Sequence, residues 1–281
     1  MKIHSISVLI AVPFIIFGVL FGYLVFLKEH HEYLPYLIIS VILLVAVYTL
    51  QPHIDFLWYK KYPDRLGPKE KIFLEKFSQF YNELNENQKD KFEKRVYVFT
   101  RAKSFKLIVS EPRDMPHDFK IAIASCAVQL TFNLGDYLFR NYDYYFAYQH
   151  PFPSPEIKVL HSVETNFEDR TAIFDIEMLI NSFNPQIRLF NIGLYAFAGI
   201  FNFIYNSLSI DPVDSLCFWE KIEEISGFGK EFIILATGIE PTSQFQLLST
   251  LFFTHNNAFR SVLPIQYDQL SKIYNFEKIQ N

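Results

Sequence analysis

Cysteine is scarce in this chain: Cys126 and Cys217 are the only two among 281 residues, and they form no C-x-x-C pair. That excludes a disulfide-stapled scaffold and a thioredoxin-type redox site, and leaves both thiols as candidate small buried hydrophobes. A basic excess is missing too, with 26 Lys and Arg against 30 Asp and Glu and a net charge of −4. No field of the right sign exists to hold a phosphate backbone, so nucleic acid is not expected as a partner. Neither H-x-x-x-H nor H-x-x-E-H occurs; His117, His150, His161 and His255 are scattered. There is no G-x-S-x-G elbow, and Cys126 has no evident His partner, which leaves nucleophilic catalysis without support. "SGFGKEF" (226–232) fails as a phosphate loop, because Glu224 and Glu231 occupy the positions that need Gly and Ser or Thr, and reads as a surface turn. Repeats and low-complexity tracts are absent as well.

What the chain has is apolar and aromatic weight: half its residues are hydrophobic, with 31 Phe and 17 Tyr. This suits one globular domain with a sizeable core plus a membrane-embedded appendage. From Ser5 to Leu27 no charge appears, and a second uncharged run spans Tyr33 to His53. Each is long enough to cross a hydrocarbon core of about 30 Å as a helix. The expectation is a retained transmembrane hairpin over 1–62, with helices at about 5–27 and 33–55 joined by the polar loop "KEHHE". His30 and His31 in that loop lack further ligands and read as a polar turn. Lys2, Lys60, Lys61 and Arg65 flank the hairpin's ends, which puts both ends in the cytoplasm, and Trp58, Tyr59 and Tyr62 fit an interfacial belt.

Past "YPDRLGPKEK" the period becomes helical. Phe73, Phe77, Phe80 and Leu84, then Phe92, Val96 and Phe99, predict two amphipathic helices, the second opened by an Asn85–Gln88 capping box. "KLIVS" (106–110) reads as a strand, Ile121 to Phe132 as an apolar helix, and the run from Tyr144 as a strand ended by Pro151 and Pro153. "TAIFDIEML" alternates as a strand before turning helical, and two helix candidates follow Pro241. The uncharged stretch from Leu189 to Ile210 could span a bilayer by length. Asn191, Gly193, Gly199, Asn202, Asn206 and Ser207 interrupt it, so a buried core helix is expected. Glu164, Glu168 and Asp169 read as a solvated acidic loop.

The order of these segments resembles the Mlc titration factor A family, bacterial zinc peptidases of the gluzincin type. "FYNELNENQKDKFEKRVYVFTRAKSF" (80–105) is similar to the family's opening pattern, and "IAIASCAVQLTF" with "YQHPF" to its next helix and strand. "TAIFDIEML" is similar to the segment before the zinc helix, "EPTSQFQLLSTLFF" to the third-ligand segment, and "AFRSVLPIQYDQLSKIYNF" to the closing helix. The resemblance runs over about residues 70 to 276. It implies an α+β, mostly helical, zincin-type metallopeptidase-like domain over 66–281, behind the two-helix transmembrane hairpin, at the bacterial inner membrane.

It also implies a lost active site. The family's zinc helix carries H-E-x-x-H, because two His four apart share a helical face and the Glu activates the bound water. Here those positions read Tyr195, Ala196, Phe197, Ala198 and Gly199. Ser243 stands where the family has its third ligand, and an oxyanion-assisting Tyr falls on Ala236 or Leu235. No catalytic residue, metal or cofactor is therefore expected. The implied reading is a membrane-anchored pseudopeptidase that binds a protein or peptide, with any persisting cleft lined by Tyr195, Ala196, Gly199 and Ser243. The family's named member also binds a transcriptional repressor, which suits a regulatory role. The alternative is an active peptidase using non-standard ligands or a site elsewhere.

Overall fold

The computed structural model describes residues 6–109, 113–183, 187–205, 210–241 and 243–276. Residue 110 of the expected strand, and Asn206 and Ser207 of the interrupted apolar stretch, lie outside them. The chain divides into two compact units, Met1–Asp64 and Arg65–Asn281.

The first unit is a helical hairpin. Helix α1 (Ile6–Phe26) and helix α2 (Leu34–Lys61) are joined through a short 3-10 turn at His31–Tyr33. Both are long and apolar enough to cross a membrane, and most of their side chains are exposed. The helices pair at both ends: the Ser7 N–H and Oγ–H donate to the Asp55 carboxylate at 3.0 and 3.2 Å, and Phe21 stacks on Tyr36 at 5.4 Å. Helix α2 outlasts the charge-free run by continuing through Asp55. A charge does not end a helix, and Lys60 and Lys61 in its last turn suit the negative end of the helix dipole.

The second unit is mostly helical with a small mixed sheet. Helices α3 (Pro68–Phe77), α4 (Gln79–Glu83) and α5 (Glu86–Ala102) come first. The single helix expected over 73–84 breaks because the Ser78 hydroxyl caps a new one, accepting from the Tyr81 N–H at 3.2 Å. The Asn85–Gln88 capping box forms as expected. Strands β1 (Ser104–Leu107) and β2 (Arg113–Asp114) precede α6 (His117–Leu130), so strand and helix begin earlier than the apolar runs suggest. Next come β3 (Tyr144–Tyr148), β4 (Val163–Asn166), β5 (Thr171–Asp175) and α7 (Ile176–Phe183), with the strand-to-helix switch inside "TAIFDIEML". The sheet order is β2-β1-β3-β5-β4, parallel at β1–β3 and β3–β5 and antiparallel at both edges.

Helix α8 (Ile192–Ile204) packs over this sheet and is buried on all sides from Ile192 to Phe201, as expected of a core helix. Phe197 is its hub, with ring centroids 5.2 to 6.2 Å from Phe99 of α5, Phe139, Tyr145 of β3 and Phe174 of β5. Helices α9 (Phe218–Ser226) and α10 (Lys230–Thr237) follow. The "SGFGKEF" turn links them: Gly227 takes a left-handed conformation (φ 68°) that ends α9, and Phe228 beside it is buried. Three helices rather than two close the chain, α11 (Gln244–Thr254), α12 (Asn256–Val262) and α13 (Pro264–Tyr274), because non-helical turns at His255 and Leu263 divide the run.

Candidate functional site

Of the positions where the resemblance places a former zinc site, those on α8 are buried, while Ser243 is half-buried. Ala196 and Gly199 are buried, Tyr195 is nearly so, and burial pushes the Tyr195 phenol up to about 12. Ser243 is the N-cap of α11, its hydroxyl accepting from the Gln246 N–H at 3.4 Å, and that helix lies along α8. Gln246 then reaches across and donates from Nε2 to the Tyr195 carbonyl at 3.4 Å. Gly199 makes room for it, since a Cβ there would lie 2.1 Å from Gln246 Nε2. Ala236 is buried on α10, whereas the neighbouring Leu235 points to solvent. The resemblance lines any persisting cleft with Tyr195, Ala196, Gly199 and Ser243; on the α8 side that space is taken by the Gln246 amide and close helix packing.

An open cleft of about 710 Å³ lies instead at the N-terminal end of the same helix. Its walls come from the end of α6, the end of α7, the α9–α10 turn and the α11–α12 junction, with Phe80, Phe183, Phe228 and Phe253 as aromatic lining. Asn191 caps α8 at its floor. The Asn191 Oδ1 accepts from the Leu194 N–H at 2.8 Å and from the Cys126 thiol at 3.8 Å, and burial keeps that thiol protonated by raising its pKa. Both lone-pair sites of Oδ1 are used, while the Asn191 Nδ2–H groups have no partner among the described residues. Gln129, from the last turn of α6, also lines the cleft, and its amide has no hydrogen bond among the described residues. Both residues are only 8% exposed.

Arg188 stands at the rim. One guanidinium nitrogen donates to the Ser226 carbonyl, the group lies over the Phe228 ring at 5.5 Å, and no carboxylate pairs with it among the described residues. Gly227 is required beside it, since a Cβ there would lie 2.3 Å from Arg188 Nη2. His255 lies edge-on to Phe228 at 5.8 Å and shares a hydrogen bond of 2.9 Å with Thr254 Oγ1. Burial, reinforced by the nearby Arg188, lowers the His255 pKa and holds the imidazole neutral at pH 7. Glu83, on another lip, accepts from Gln79 Nε2 at 2.9 Å. The cleft thus offers unpaired N–H donors and one fixed cation between aromatic walls. That is binding chemistry.

The remaining histidines stay apart. His117 pairs with Glu70 at 3.2 Å and His150 with Glu177 at 3.0 Å, both near the surface. His161 corrects one expectation: its partner Glu164 belongs to no solvated loop, being only 7% exposed, while Glu168 and Asp169 are exposed as expected. The Val159 carbonyl can only accept, so His161 Nδ1 carries a proton, and the Nε2···Oε2 contact to Glu164 at 2.8 Å needs one further proton, on ring or carboxyl. Both faces of β4 are covered at its start, where Val163 and Glu164 are buried side by side, a fact its acidic neighbours masked. Among the described residues no three of His, Cys, Asp or Glu gather where they could hold a metal ion. Sequence reasoning missed Gln129, Arg188 and Asn191 as site residues; Asn191 stood out only as a polar break in an apolar run. Comparison with protein-family models, curated proteins and solved structures gives no match to this chain.

Proposed function

We propose that this protein is a membrane-anchored binding protein that captures a peptide or protein segment in the cleft at the start of α8, and that its domain descends from a zinc peptidase whose chemistry is gone. The observation that carries the reading is the pair Gln129 and Asn191, largely buried residues whose unused amide N–H groups open onto an aromatic cleft. Donors that reach a concave surface without a protein partner are groups a ligand can satisfy. The Gln246 side chain set against the Tyr195 carbonyl and Gly199 supports the loss of catalysis, because a water-activating metal needs an open position there. The Lys and Arg flanking the hairpin support a cytoplasmic domain at the inner membrane of a bacterium.

The test uses the full chain in lipid nanodiscs, incubated with a random octapeptide library. Wild-type protein should retain a subset of peptides uncleaved, and Asn257→Trp, an exposed lining position, should retain none of that subset. Equal retention by both proteins sinks the cleft as the binding site. Cleavage of the library that stops with a chelator would restore the peptidase reading.

A further inference from the structure

We infer that the cleft recognises a free carboxylate on an apolar group, and specifically the C-terminus of a peptide whose last side chain is apolar or aromatic. The inference rests on the binding role proposed above and names its ligand. Four observations converge on it. Helix α8 begins in the cleft, with the positive end of its dipole there. Gln129 and Asn191, each 8% exposed, add uncommitted amide N–H groups beside that end. Arg188 supplies a guanidinium held in place by the Ser226 carbonyl and the Phe228 ring, with no carboxylate of its own among the described residues. The competing negative end of α6 is already occupied, because Arg95 donates to the Thr131 and Phe132 carbonyls at 3.0 Å each.

The charge count selects the ligand. Arg188 is the cleft's one cation among the described residues, His255 is held neutral, and Glu83 on the lip repels further negative charge. A monoanion matches that balance and a phosphate dianion does not. A planar carboxylate also suits side-chain amides and a guanidinium, which donate paired N–H groups in a plane. The walls add the second requirement: Phe80, Phe183 and Phe253 give the space beside the anion an aromatic side that an apolar group would cover. A peptide C-terminus carries both features within one residue.

The experiment measures fluorescence anisotropy of the full chain in nanodiscs with fluorescein-labelled pentapeptides randomised at their last two positions, prepared once as free acids and once as C-terminal amides. Free acids ending in apolar residues should bind, with amidation weakening them at least tenfold. Arg188→Gln should weaken the acids by about the same factor and leave the amides unchanged, and Gln129→Leu should weaken the acids without disturbing the fold. Equal binding of acids and amides, or no response to Arg188→Gln, overturns the carboxylate assignment while the binding role stands. Displacement of the acids by oleate at equal concentration overturns the peptide assignment in favour of a lipid acid. Should the octapeptide library also leave no peptide bound, the binding role itself falls.

Discussion

Beside the sheet, His161 and Glu164 are buried and spend their polar atoms on each other and on the Val159 carbonyl. At the start of α8, Gln129 and Asn191 are about as buried, yet they keep N–H groups unspent. The same contrast recurs around the domain. Glu93 is held by the Tyr81 hydroxyl and by Lys71, both at 2.7 Å, and Lys103 by Asp143 at 2.7 Å. Burial lowers the Lys103 pKa, and the Asp143 carboxylate offsets part of that shift. Where polar groups close on themselves they fix the fold, since losing one partner strands the other in a low dielectric. Where they stay open, beside a cavity, stability gains nothing from them and a ligand can.

The largest break in this contrast should come from the closed side. Glu164→Ala leaves the His161 ring without its partner and should cost about 3–5 kcal/mol, read as a fall in urea midpoint. Glu164→Gln should cost far less, because its amide N–H can donate to a neutral His161 Nε2 while Nδ1 keeps its bond to Val159. Equal losses for the two variants would show that the pair contributes no specific hydrogen bond.

A smaller effect separates the two glycines of α8. A Cβ at Gly193 would lie 2.4 Å from Cys126 Sγ and 2.7 Å from Leu179 Cδ1, packed atoms of the core beside the cleft floor. Gly193→Ala should destabilise by about 1–2 kcal/mol after the helix-propensity gain of ~1 kcal/mol is subtracted. At Gly199 the obstacle is the end of the Gln246 side chain, which can swing away. Gly199→Ala should therefore stay within about 1 kcal/mol of wild type in thermal unfolding. A severe loss there would mean that Gln246 is locked in place against α8.

The smallest stability effect belongs to the open side. Gln129→Leu replaces an amide that opens onto the cleft without a protein partner among the described residues by an apolar group of similar size, and should change stability by less than ~1 kcal/mol. A clear destabilisation in the same melts would show that the amide is already satisfied in the free protein, and the contrast would lose its meaning.

Much of the fold was legible in one dimension where a single physical signal acted alone. The two uncharged runs at the N-terminus announced helices by length and apolarity, and the Asn85–Gln88 box marked the start of α5. The switch from strand to helix in "TAIFDIEML" followed its change of period. Boundaries slipped where a local cap competed with the periodicity, as at Ser78, or where a turn divided one apolar run, as at His255. The site was nearly illegible: Gln129, the Arg188 and Asn191 of the run into α8, and His255 come from three separate segments with no motif to link them.

The sequence by itself determined that α8 is an apolar helix without metal ligands, because side-chain chemistry at Tyr195 and Gly199 is local information. It equally determined that the first two helices have the length and composition to cross a bilayer. Only the tertiary structure decided that Gln246 fills the middle of α8 while its first turn faces an open cleft. Only it decided that Glu164 is buried while Glu168 and Asp169 face water. Burial and partnership are properties of contacts between segments far apart in the chain, and no residue carries them alone.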